Sequence, residues 1–114
     1  MKVIWSDFSS DILVEIYLYY KEKAGYTIAK RIKSQIFEST KQLIKHPISG
    51  QIEETLKHLG EGHRYLLEGN YKIIYKQIEE GILITDVFDT RQDPIKINDK
   101  NRKPYSLSSR LPRQ

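Results

Sequence analysis

The chain contains no cysteine. That excludes a disulfide framework and cysteine-based zinc sites, and it suits a reducing compartment. Long apolar runs are missing too. No segment approaches the roughly 20 consecutive apolar residues that a membrane span requires. The first apolar stretch, Val3-Ile4-Trp5, is far too short for the core of a signal peptide. A soluble cytoplasmic protein with no membrane partner is the expectation. Histidine is scarce: His46, His58 and His63 are the three present. Their spacing is no zinc pattern, so neither a metal nor a cofactor is implied. Internal repeats and low-complexity segments are absent as well.

What is there describes one ordinary domain. The chain has 114 residues, 39% of them hydrophobic and 30% charged. That suffices for a single core and leaves little for a second, pocket-bearing lobe. A functional site is therefore expected on an exposed face. The net charge of +4 is unevenly placed. Residues 1–95 hold 13 Lys/Arg against 14 Asp/Glu. Residues 96–114 hold Lys96, Lys100, Arg102, Lys103, Arg110 and Arg113 against Asp99 alone. This predicts a near-neutral domain over 1–95 and a basic C-terminal tail over 96–114. Such a tail reads either as a contact for acidic partners or as a solvated terminus.

Val3–Trp5 reads as a first strand. Ser6 stands as the N-cap of a helix of about five turns, whose apolar stripe runs Phe8, Ile12, Ile16, Tyr20. Gly25 is placed to end it. Thr27 is positioned to cap a second helix with Ala29, Ile32, Ile36 and Leu43 at helical spacing. His46-Pro47 stops that helix, because the residue before proline is pushed from the α region. The two helices should form an antiparallel hairpin. Residues 47–62 read as an irregular connection with one helical turn near 53–58. Arg64–Glu68, Gly69-Asn70 and Tyr71–Gln77 read as a β-hairpin, and Ile82–Phe88 as a further antiparallel strand. The expected fold class is α+β, in the order β-α-α-β-β-β. A helical hairpin would lie on a small, largely antiparallel sheet.

Four pieces of sequence carry a resemblance. They are Trp5-Ser6 opening a helix that contains Ile16-Tyr17-Leu18-Tyr19-Tyr20; His46-Pro47-Ile48-Ser49-Gly50; Arg64-Tyr65-Leu66 before Gly69-Asn70-Tyr71-Lys72-Ile73-Ile74-Tyr75; and Val87-Phe88-Asp89-Thr90-Arg91-Gln92-Asp93-Pro94. In this order and spacing the chain resembles the RelE/ParE superfamily of toxin–antitoxin toxins, closer to the ParE branch, over roughly residues 2–95. The resemblance implies a toxin held inactive by a cognate antitoxin. It implies a growth inhibitor of the plasmid-stabilisation kind, acting on DNA gyrase without catalysis. Its RelE-like alternative is a ribosome-dependent endonuclease acting on messenger RNA. A degenerate toxin that keeps antitoxin binding and operon autoregulation is the third reading. A homodimer or a toxin–antitoxin hetero-oligomer is the expected assembly.

Metal-free RNA cleavage needs groups that accept a proton, donate one and stabilise charge on phosphate. The resemblance puts such groups on the concave face of the sheet. The candidates for catalysis are Lys72, Arg91, His63 and Glu68. Those for contact with a target are Arg64, Tyr65, Lys72 and Arg91. Each has a plainer reading. Arg91 could pair with Asp89 or Asp93, and Arg64 with Glu68 or Asp86. Lys72 could keep a strand soluble, and His63 could be an exposed loop histidine. Glu53 and Glu54 read as a solvated acidic turn. Tyr17, Tyr20, Tyr71 and Tyr75 read as core; Tyr65 is open. Lys72 stands where RelE-like nucleases carry arginine, and it lacks the planar fork that grips phosphate. No Tyr or His follows Arg91 until Tyr105. Both departures tilt the reading from nuclease toward gyrase poison.

Overall fold

The structure, a computed structural model, describes residues 1–102. Lys103, Tyr105, Arg110 and Arg113 of the basic tail lie outside the described residues. Strand β1 (Lys2–Trp5) leads into helices α1 (Asp7–Ala24) and α2 (Tyr26–Ser39). The second helix tightens into a 3-10 stretch, Thr40–Ile44, before His46. Then come β2 (Gln51–Ile52), a 3-10 helix at Glu54–Leu59, and strands β3 (Arg64–Glu68), β4 (Tyr71–Ile78) and β5 (Gly81–Asp89). Two short 3-10 turns, Pro94–Asn98 and Lys100–Arg102, follow. The sheet order is β1-β5-β4-β3-β2; β1 runs parallel to β5 and every other pair is antiparallel. The α+β fold class and the order of the main elements stand as expected. Strand β2 went unforeseen, being two residues long inside what reads as a loop.

The helix boundaries follow from local chemistry. Ser6 Oγ accepts from the Ser9 amide at 3.1 Å, satisfying one orphan donor of α1. Ser9 Oγ donates to the Ile84 carbonyl at 2.9 Å and so fastens the helix start to β5. Gly25, at φ +92°, ends α1 and also stands as the N-cap of α2. That backbone is open to glycine and strained for other residues. It corrects the expectation for Thr27, which lies inside α2: once the chain has turned on one residue, no separate cap is needed.

The hairpin packs on one face of the sheet. Leu13, Ile16, Ile36 and Leu43 meet Leu66, Ile73, Tyr75, Ile82, Ile84 and Val87, all buried. Tyr71 and Tyr75 share that face, as strand alternation predicts. Tyr17 and Tyr20 are half-buried rather than core. Phe37 is exposed and stacks on Trp5, ring centroids 5.9 Å apart. A β-bulge interrupts β4–β5: Ile74 pairs with Asp86, but Tyr75 pairs with Ile84. Thr85 is the extra residue. Without it Ile84 and Asp86 would point the same way; with it, Asp86 turns to the second face. Its hydroxyl donates to the Ile74 carbonyl at 3.3 Å.

Candidate functional site

The second face of the sheet, away from the helices, is built differently. A small apolar cluster of Leu56, Ile74, Phe88 and Ile97 sits at its centre, with Leu59 and Tyr65 packed against it. Leu56 and Leu59 come from the Glu54–Leu59 3-10 helix and Ile97 from the Pro94–Asn98 turn. These two pieces cover the strands. Around them lie ion pairs. Lys72 Nζ meets Glu53 Oε1 at 3.0 Å, with the Glu53 side chain 2% exposed. Lys76 Nζ donates to Glu61 Oε1 at 2.6 Å, and the Lys76 side chain is 4% exposed. Arg102 grips Asp86 with two bonds of 2.7 Å. Burial pushes the Asp86 carboxyl above its ordinary pKa, outweighing the pull of the Arg102 guanidinium in the other direction.

Two readings of the sequence are corrected here. Glu53 is no solvated turn residue; it is buried, pairs with Lys72, and its other oxygen accepts from the Thr55 amide and hydroxyl at 3.3 and 2.8 Å. It thereby starts the 54–59 helix. His63 is no exposed loop histidine; it is 2% exposed, with Nε2 4.0 Å from Glu61. Both errors have one source. The connection 47–62 folds back over the sheet, as Glu53 N donating to the His63 carbonyl at 2.9 Å records.

The proposed site residues fall into separate places. Tyr65 and Lys72 are together on the second face, with the ammonium 4.2 Å from the Tyr65 ring centre. The Tyr65 hydroxyl donates to Gln51 at 3.1 Å. Arg64 pairs with neither Glu68 nor Asp86. It shares a face with Tyr75 and donates to the Gly50 carbonyl at 2.8 Å. Glu68 is opposite Tyr71, on the helix side of the sheet. Arg91 lies beyond the end of β5 in an open hollow of about 390 Å³, lined by Ile12, Ile16, Tyr19, Tyr71 and Asp89 among others. It holds Asp89 bidentately at 2.9 and 2.7 Å. That contact keeps the Asp89 carboxyl below its ordinary range and raises the guanidinium.

Besides Glu53–Lys72, two pairings escaped the sequence reading. Lys76–Glu61 spans a loop whose course was unknown, and Arg102–Asp86 joins the tail to a strand residue turned by the bulge. One signal was available: Lys72, Ile74 and Lys76 alternate on β4, so two cations flank one apolar residue on the face away from Ile73.

Among the described residues, Lys72, Arg91, His63 and Glu68 are not brought together at one place. Lys72 and Arg91 sit on opposite sides of the sheet, and each is held by its own carboxylate. A hollow of about 530 Å³ opens on the hairpin instead, lined by Tyr17, Tyr26, Lys30, Lys33, Ser34, Phe37 and Glu38. Val14 and Leu18 of α1 are exposed as well. Among the described residues no helix is long and apolar enough to cross a membrane.

Known proteins place the chain. No curated protein sequence matches it. A solved structure titled "Chromosomal ParDE TA system from P. aeruginosa" matches with a TM-score of 0.65 at 20% identity, covering 78% of this chain and 95% of that one. At that identity it establishes the fold. A family model described as the ParE toxin of the type II toxin–antitoxin system parDE matches residues 3–94. The chain belongs to the ParE toxin family of type II toxin–antitoxin systems.

Proposed function

We propose that this toxin inhibits growth by binding DNA gyrase in the cytoplasm, with no bond-making step of its own. One observation carries the reading: the groups a nuclease would use are divided between two faces, and the cations among them, Lys72 and Arg91, are each paired with a carboxylate. Lys72 is tied to Glu53, at 3.0 Å, and the face around it is filled by the 54–59 and 94–98 turns. A phosphate there would have to displace a buried carboxylate and an apolar layer, with the desolvation already spent. Of the target-contact candidates, Arg91 is the accessible one, its side chain 59% exposed. Tyr65 is half-buried, while Lys72 and Arg64 are turned to internal partners.

A cognate antitoxin completes the reading. The solved neighbour comes from a ParDE toxin–antitoxin system. The aromatic hollow on the hairpin suits the apolar face of an amphipathic helix. Purified toxin should inhibit supercoiling by purified gyrase, and induced cells should filament with their transcripts intact. Cleavage of messenger RNA inside translated codons, with supercoiling unaffected, would sink the proposal. Co-expression with the product of the adjacent gene should give a single complex on size exclusion; separate elution at micromolar concentration would count against the antitoxin.

A further inference from the structure

The stretch that matches the family ends at residue 94. The chain beyond it is packed nonetheless. Ile97 is fully buried among Leu56, Ile74 and Phe88. Arg102 closes on Asp86, a residue of β5 with a side chain 2% exposed. Its guanidinium is 5.1 Å from both the Phe8 and the Phe88 ring centres, so it lies against aromatic rings as well as a carboxylate. Around these two anchors the segment is exposed: Ile95, ahead of Ile97, is 73% accessible, and Asn98 through Asn101, between the anchors, face solvent.

The local structure of this segment is weak by itself. Lys96, Asp99 and Arg102 amides donate three residues back at 3.0, 3.0 and 2.9 Å. Such short 3-10 turns are marginal without tertiary support. Their order must come from the two anchors. The anchors serve the domain in return. Asp86 is turned inward by the bulge, where an unpartnered carboxylate is costly. Its counter-ion is supplied from outside the family stretch.

We propose that Pro94–Arg102 is a latch, closed by Arg102 on Asp86 and by Ile97 in the apolar cluster, that seals the second face of the sheet. It opens as one unit. Opening exposes Phe88 and Ile74 and leaves Asp86 to water. The packed domain of this chain therefore runs to Arg102.

Amide hydrogen exchange on the full chain tests this. Arg102→Gln should speed exchange of the Lys96 and Asp99 amides by about tenfold or more, the loss of hydrogen bonds to a charged group. Asp86→Asn should do the same. Because both break one closure, the double variant should exchange no faster than the faster single. Ile97→Ala should speed the same two amides with the ion pair still present. Amides of β4 and β5 should stay far slower than those of Lys96 and Asp99 in Arg102→Gln, which separates latch opening from unfolding. Lys96 and Asp99 rates within twofold of the parent in Arg102→Gln would overturn the proposal. So would single effects that multiply in the double variant, or an Asp99 amide indifferent to Ile97→Ala.

Discussion

The two faces of the sheet are stabilised by different physics. The helix-covered face is apolar and continuous, with Ile73, Ile82, Ile84 and Val87 against Leu13, Ile16, Ile36 and Leu43. The other face carries a small apolar island ringed by Glu53–Lys72, Glu61–Lys76 and Asp86–Arg102. The first face gains from transfer of apolar area out of water, which tolerates small adjustments. The second depends on charges that are useful while paired and harmful when one partner goes. The ion pairs also occupy Lys72, Lys76 and Arg102, the cations of that face.

The largest effect should come from the first face. Ile73→Ala leaves a void beneath both helices, and we expect a loss of about 3–4 kcal/mol in urea unfolding. A loss below about 1 kcal/mol would mean the hairpin collapses into the space, and the contrast between the faces would weaken.

Gly50→Ala should follow. A methyl group there would sit 2.6 Å from the Tyr65 carbonyl and 2.7 Å from the Tyr75 hydroxyl. That hydroxyl cannot retreat, since it donates to the Pro47 carbonyl at 2.9 Å while accepting from the Gly50 amide at 3.0 Å. Overpacking of this kind costs about 2–3 kcal/mol and should lower the thermal midpoint without altering the far-ultraviolet spectrum.

On the second face Lys72→Met should cost about 2 kcal/mol, less than a fully buried pair because the lysine is partly exposed. The diagnostic is the double variant. Lys72→Met with Glu53→Gln should be more stable than Lys72→Met alone, because an amide tolerates burial without a cation. If the double were worse, Glu53 would matter for starting the 54–59 helix more than as a counter-ion.

This difference decides what could be read in advance. The first face was legible because its information is periodic: Ile12, Ile16 and Tyr20 repeat at helical spacing, and Tyr71, Ile73 and Tyr75 alternate on a strand. The N-cap at Ser6, the turn at Gly25 and the hairpin at Gly69-Asn70 rest on equally local chemistry. The second face was not legible. Its pairs join Glu53 to Lys72, Glu61 to Lys76 and Asp86 to Arg102, across loops whose path no local pattern encodes. Burial of His63 follows from the same path. The inward turn of Asp86 depends on a bulge at Thr85 that looks like ordinary strand sequence. So the fold and family could be read, whereas the state of the site residues could not.

Alkaline pH should separate the faces by titration. Burial raises the phenols of Tyr71 and Tyr75 above the ordinary value of 10.0, Tyr71 further because Tyr20 lies beside it. The unfolded chain releases those protons near pH 10, whereas the folded chain keeps them. Stability from these groups is present below pH 10 and is lost as pH rises toward the raised values. Absorbance near 295 nm, compared with Tyr71→Phe and Tyr75→Phe, should show these two ionising above pH 10, together with unfolding. Ionisation of Tyr71 and Tyr75 near pH 10 with the fold intact would remove them from the account of the first face.

The smallest effect on stability is expected at Arg91. Its ion pair with Asp89 is exposed, and such pairs contribute little because water and salt screen them while side-chain entropy opposes them. Arg91→Ala should therefore melt with the parent. If Arg91 touches gyrase, the same variant should lose potency in the supercoiling assay while its fold and antitoxin complex persist. Arg91→Lys should restore part of that potency, since it keeps the charge and loses the fork. Unchanged potency in Arg91→Ala would move the contact surface elsewhere, to the hairpin or to Tyr65. A large drop in melting temperature would instead make the Asp89–Arg91 contact a brace for the end of β5.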